Sequence, residues 1–150
     1  MIDSLLILKA LAFAESQNVP FSAITIIEFK KPQRNDYDDK ENPFNQVAEY
    51  VQIIKSGKAK YSDGRAMPVN ESIPIYSFVI CDLTPKLDWW AKMAGLQKSA
   101  DGLGYFGYMR EFGIYVEVMS YEKVLVDSDK RHLAFFEKLN ISAKYNEMGG

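Results

Sequence analysis

What this sequence has little of narrows it before any motif does. It has one cysteine, Cys81, so no disulfide can close within the chain. A lone thiol suits a reducing compartment, and a cytoplasmic location is expected. It has one histidine, His132. That residue falls in an amphipathic segment and reads as a surface or boundary residue rather than a base, and no pattern supports a Cys81–His132 nucleophile pair. No apolar run approaches the roughly 20 residues of a membrane helix. The most apolar stretch, Leu5 to Phe13, is interrupted by Lys9. It has neither the basic start nor the small-residue cleavage pattern of a secretion signal. There is no cationic excess either: the formal net charge is −2. Affinity for phosphate comes from clustered Lys and Arg, so the sum argues against a nucleic-acid binder while the distribution argues less strongly. Lys30, Lys31 and Arg34 form one basic cluster, and Lys55, Lys58, Lys60 and Arg65 form another. Part of the acid is confined to residues 35–41, NDYDDKE, which reads as a solvated loop. Internal repeats and low-complexity linkers are also missing.

What is present is the composition of a globular protein, 47% hydrophobic and 25% charged. A chain of 150 residues is long enough for one hydrophobic core, and a single domain over 1–150 is expected. IDSLLILKALAF reads as a strand, with helix as the competing reading, and AESQNVPF as a turn. SAITIIEFK is the strongest strand, β-branched at Ile24, Thr25, Ile26 and Ile27, and would pair with the first as a hairpin. Pro32 blocks further pairing. NPFNQVAEYVQIIKSGK is a well-marked helix. Asn42 is placed to cap it, Pro43 suits its first turn and Gly57 its stop. Phe44, Val47, Ala48, Val51 and Ile54 recur at helical spacing as a buried stripe. IPIYSFVICDL is apolar on both faces and predicts a central strand. Thr84 and Pro85 open a further helix carrying Trp89 and Trp90. GYFGYMREFGIYVEVMSY predicts a glycine-punctuated hairpin whose second strand is Ile114 to Met119. DSDKRHLAFFEKLNI predicts a closing helix with Leu133, Phe136 and Leu139 on its packed face, followed by a frayed tail. The order β-β-α-β-(α)-β-β-α implies an α/β fold around a mixed sheet.

Chemistry gathers at TIIEFKKPQR. Residues two apart on a strand face one side, so Glu28 and Lys30 share a surface while Phe29 points the other way, into the core. A carboxylate there can hold a hard divalent cation such as Mg²⁺. A lysine beside it can orient a water or offset charge at a phosphate. A second carboxylate is wanted, and Asp3, at the start of the preceding strand, is the candidate. Gln46 and Tyr50, four apart, lie on one face of the helix. That face is offset from the apolar stripe and able to look over the end of the sheet.

Asp3, then Glu28-Phe29-Lys30, then Gln46-x-x-x-Tyr50, in the order strand, strand, helix, resembles the PD-(D/E)XK nuclease superfamily, and its RecB-type branch above all. The wider pattern ITIIEFKKPQR, NPFNQVAEYVQIIKSG, IYSFVICDLTP, GYFGY and YVEVMSYEKVL, over roughly residues 2 to 140, is similar to the C-terminal domain of bacterial proteins that carry a GHKL-type ATPase domain upstream. The resemblance implies a restriction-endonuclease-like mixed sheet flanked by helices. It also implies Mg²⁺ or Mn²⁺ held by Asp3 and Glu28, Lys30 as the catalytic lysine that positions the attacking water, and Gln46 and Tyr50 as supporting residues. Lys31 and Arg34 are then candidates for contact with nucleic acid. The implied activity is hydrolysis of phosphodiester bonds in DNA, or RNA, with the ATPase domain of a parent chain as a partner and no membrane. A homodimer is left open. Three departures stand out: the proline of the superfamily's name is absent before Asp3, Asp3 lies almost at the start of the sequence, and the helix that usually precedes this strand is absent. The chain is therefore expected to lack the fold's first helix and to be a fragment of a longer protein.

Plainer readings compete at each residue. A Glu-x-Lys pair on a strand is commonly an ion pair, Asp3 can be a hairpin-end residue, and Lys31 and Arg34 can belong to a solvated loop. Asp82 reads as a turn initiator. Trp89 and Trp90 could stack bases or divide between core and surface. The alternatives to an active nuclease are a catalytically inactive nuclease-like module for nucleic-acid binding or assembly, and a plain interaction domain.

Overall fold

The computed structural model describes residues 23–61 and 63–138, together with the backbone of residues 5–9. Its elements are β1 (Leu5–Lys9), β2 (Ile24–Phe29), α1 (Pro43–Lys55), β3 (Ile75–Ile80), α2 (Pro85–Met93), β4 (Gln97–Lys98), β5 (Gly104–Met109), β6 (Ile114–Met119) and α3 (Tyr121–Lys138). The strands form a six-stranded sheet in the order β1-β2-β3-β6-β5-β4. β2, β3 and β6 run parallel at its centre, in register Ile26↔Ser77↔Val116, and β1 and β5 join antiparallel on either side. This is the α/β class with a mixed sheet and flanking helices that the element order implies. The connection β2-α1-β3 is the crossover that a parallel pair requires.

Alternation places Ile24 and Ile26 of β2, Ile75 and Val79 of β3, Ile114, Val116 and Val118 of β6, and Tyr105 of β5 in one buried cluster. Phe44, Val47, Val51 and Ile54 of α1 and Leu87 and Ala91 of α2 complete it. The apolar stripe read from the α1 sequence is thus the packed face. The helix stops where Gly57 takes φ +72°, a left-handed conformation that glycine adopts without a Cβ penalty. In β5, a Cβ on Gly104 would stand 2.2 Å from the Val118 carbonyl oxygen, so only glycine allows that approach.

Several expectations are corrected. Phe29 does not point into the core: it is 42% exposed, because the core lies on the face that carries Ile24, Ile26, Glu28 and Lys30. The last helix begins at Tyr121 rather than Asp127, capped by Ser120, whose Oγ accepts the Lys123 N–H at 3.0 Å. Leu133 is not on a packed face; it is 63% exposed, while the Phe136 side chain and Leu139 lie outside the described residues. The loop 35–41 is not wholly solvated, since Tyr37 is buried and its carbonyl accepts the Trp90 indole N–H at 3.3 Å. The two-residue β4 was not anticipated. The turn expected over residues 14–21 and the tail from 142 onward lie outside the described residues. Among the described residues, no helix is long and apolar enough to cross a membrane.

Candidate functional site: a buried glutamate–lysine–glutamine cluster

The site grows out of the alternation in β2. Glu28 and Lys30 continue the inward row begun by Ile24 and Ile26, and each is 1% exposed. The Lys30 N–H donates to the Ile80 carbonyl at 2.9 Å, which prolongs the pairing with β3 past the end of the strand. The Lys30 ammonium lies 2.7 Å from Glu28 Oε1 and also donates to Gln46 Oε1. Two charges of opposite sign and an amide, drawn from β2 and α1, thus converge where the parallel strands end. In open α/β sheets, ligands gather at those carboxyl ends. The desolvation of either charge alone would be prohibitive. Together, with the amide taking another of the ammonium's protons, the burial is tolerable.

Gln46 is held in place by the start of its helix. Asn42 Oδ1 accepts the Asn45 N–H at 3.0 Å, and Asn42 Nδ2 donates to the carbonyls of Asp38 (3.0 Å) and Asp39 (3.3 Å). The cap and the loop before it are therefore one unit, and Pro43 sets the backbone of the first turn. Tyr50, one turn further on, is half-buried against the core. Sequence reasoning missed Tyr121, whose hydroxyl donates to the Lys30 carbonyl at 2.6 Å from the first turn of α3. Its only sequence signal is its place directly after a central strand, at the same end of the sheet.

The other candidates divide. Asp3 lies outside the described residues. Lys31 is exposed. Arg34 is engaged within its own loop: its guanidinium bonds Asp36 at 2.8 Å and Glu41, and lies 5.2 Å from the centre of the Tyr37 ring. The hydrogen bond it donates to Asp36, helped by Glu41, raises its pKa further, and these two carboxylates compete with any phosphate for its donors. Asp82 stands between β3 and α2 outside any assigned turn, and its carboxylate accepts the Gln33 N–H at 2.6 Å, tying the two loops together. Cys81 is fully buried; burial first, then the Asp82 charge, pushes its thiol up to about 12, against the opposing pull of Lys30. Burial likewise raises the Tyr37 phenol. Neither is a nucleophile at neutral pH. His132 is exposed.

Glu28 and the Gln46 carbonyl are hard oxygen donors, the kind that Mg²⁺ takes. Among the described residues no three Asp, Glu, His or Cys side chains stand together as a metal-binding group. Mg²⁺ commonly makes do with one or two carboxylates, completing its shell with water and phosphate oxygens. The oxygens are of a kind that Mg²⁺ accepts, but Glu28 Oε1 and Gln46 Oε1 both already engage the Lys30 ammonium. A shallow depression on the outer side of α1, lined by Glu49, Gln52, Ile53, Ser56 and Lys58, includes none of these residues.

No family model, curated protein or solved structure matches the chain.

Proposed function

We propose that this chain is a metal-dependent nuclease domain that hydrolyses phosphodiester bonds of nucleic acid, DNA first among the candidates, at the Glu28–Lys30–Gln46 cluster. The observation that carries the reading is the convergence of those three side chains at the carboxyl end of the parallel strands. In this reading Glu28, with Asp3, holds Mg²⁺ or Mn²⁺, which when bound supplies Lewis-acid polarisation of the phosphate. Lys30 directs its ammonium at the attacking water and offsets negative charge as it builds on the phosphoryl oxygens. Gln46 fixes the direction of the ammonium, and Tyr50 supports the same helix face. The proposed setting is the cytoplasm, beside the ATPase domain of a parent chain.

Burial favours a second reading. With Glu28 and Lys30 each 1% exposed, the pair as placed is closed to substrate. A nuclease-like module that binds nucleic acid or serves assembly without cutting is consistent with that closure. Calorimetric titration with Mg²⁺ and Mn²⁺, paired with a cleavage assay on plasmid and single-stranded DNA, separates the two. Metal binding that disappears in Glu28→Ala, with cleavage that disappears in Lys30→Ala, supports the hydrolase. Nucleic-acid binding with neither metal uptake nor cleavage supports the module. Absence of metal and nucleic-acid binding alike would leave the cluster a structural ion pair.

A further inference from the structure

The outward side of α2 has an unusual composition for a solvated helix. Its exposed residues are Pro85, Lys86, Trp89, Lys92 and Met93: two cations, an indole 51% exposed and a thioether 65% exposed, with no carboxylate among them. The helix's one acid, Asp88, is turned aside, its Oδ1 accepting the Tyr105 hydroxyl at 2.9 Å. Nearby acids are likewise engaged, Asp36 by Arg34 at 2.8 Å and Asp82 by the Gln33 N–H at 2.6 Å. The exposed side of α2 itself therefore carries two cations and no carboxylate.

Trp89 is also held rather than loose. Its ring meets that of Trp90 edge to face, with centroids 4.7 Å apart and planes at 86°. Trp90 is in turn fixed by its indole N–H to the Tyr37 carbonyl at 3.3 Å. An indole braced from beneath and open on its outer side loses little freedom when a flat partner covers it. Lys86 and Lys92 are six residues apart, about 9 Å along the axis, and so flank the ring. The helix start is tied to the loop that leaves Lys30: Thr84 Oγ1 donates to the Arg34 carbonyl at 2.9 Å, and the Lys86 N–H to Asn35 Oδ1 at 3.0 Å. Exposed Lys31 lies in that loop, and the loop joins the end of β2, beside the Glu28–Lys30 cluster, to the start of α2.

We propose that this face of α2 is a stacking site for unpaired bases of single-stranded nucleic acid, with Trp89 beneath a base and Lys86 and Lys92 on the flanking phosphates. The proposal rests on the reading of the protein as one that acts on nucleic acid, and it names the form of substrate. Duplex bases have both faces covered by their neighbours, whereas an unpaired base offers a free face, and stacking on an aromatic ring is tolerant of sequence. Cations on either side of the ring supply the salt-dependent part of the affinity.

The chain has two tryptophans, Trp89 and Trp90, so intrinsic fluorescence reports on this face directly. The full chain in EDTA is titrated with a short oligothymidylate and with a duplex of equal length, with circular dichroism confirming that each variant is folded. The expected result is quenching by the single strand at lower concentration than by the duplex. Binding should weaken about tenfold or more in Trp89→Ala, the scale of one lost stacked base, and be largely kept in Trp89→Phe. Replacing Lys86 and Lys92 by Gln should flatten the dependence of log K on log salt by about 0.7 per lysine. Unchanged affinity in Trp89→Ala, or a preference for duplex, overturns the stacking site. Cleavage with Mg²⁺ is scored separately. Cleavage with Trp89-independent binding removes this proposal and leaves the nuclease reading, while Trp89-dependent binding without metal uptake or cleavage does the reverse.

Discussion

Lys30 is the residue on which both readings of the site turn. Its ammonium has been taken out of water, and 2.7 Å from Glu28 Oε1 it compensates a carboxylate that is equally buried. Removing one member of such a pair strands the other, at a cost of about 3–5 kcal/mol, while replacing both with apolar groups of similar volume is often close to neutral. Lys30→Ala is therefore expected to lower unfolding stability by about that amount in urea titration, and Lys30→Met with Glu28→Leu to recover most of the loss. A single-site loss under about 1 kcal/mol would show that the pair contributes little to the fold. Cys81 gives a second test at this scale. Burial holds its thiol up at about 12 against an ordinary value of 9.0, so between those values the folded state keeps a proton that the unfolded state releases. The stabilisation is full below about pH 9 and declines as pH rises toward 12. Correspondingly, Cys81 should resist alkylation at pH 8 in the native protein and react at the rate of a free thiol in denaturant. Rapid native alkylation would mean the thiol is not sealed beneath the sheet end.

At the scale of elements, α1 is where sequence and structure agree most closely, and the reason is local. Asn42, Pro43 and Gly57 act within a turn of their own positions, and the stripe Phe44–Val47–Val51–Ile54 needs only a periodicity to be seen. Asn42 is fully buried and makes three side-chain hydrogen bonds. Asn42→Ala should therefore cost about 2 kcal/mol, the upper end for a lost cap, as a fall in denaturation midpoint with unchanged slope. A loss of a few tenths would mean that the loop 38–42 is not built on this side chain. The strand β2 was legible in its alternation but not in which side was inside. A Glu-x-Lys pattern reads as solvent-facing, and only the meeting of the two charges with Gln46, sixteen residues on, makes the inward choice tolerable. The start of α3 was missed because residues 122–126 were assigned to no element, although Ser120 stood ready as a cap. Of the candidate site, Glu28, Lys30 and Gln46 were legible because each lies on an element with a clear period. Tyr121 was not, because it reaches Lys30 across 91 residues, and nothing local in the sequence encodes such a contact.

Across the whole molecule, the parallel strands and α3 sit at opposite ends of a stability gradient. β3 lies between β2 and β6, and its inward row Ile75, Ser77, Val79 is fully enclosed. α3 has no buried residue among those described, and from Asp129 to Ala134 every side chain is exposed. Among the described residues, its polar ties to the rest of the fold lie at its beginning: Ser120 at the cap, Lys123 on Asp101 at 2.7 Å, and Tyr121 on the Lys30 carbonyl at 2.6 Å. Amides of β3 should therefore exchange with deuterium only through global unfolding, and those of α3 through a smaller, local opening. Tyr121→Phe deletes one hydrogen bond, worth about 1 kcal/mol, and should speed exchange in α3 roughly fivefold while leaving β3 close to its original rate. Because the same bond grips the carbonyl of Lys30, the variant should also loosen the orientation of the ammonium. If the cluster is catalytic, cleavage then falls while global stability changes by no more than the one bond. Exchange in α3 as slow as in β3 would show that helix and sheet open together, and an unchanged α3 in Tyr121→Phe would show that the hydroxyl does not tether it.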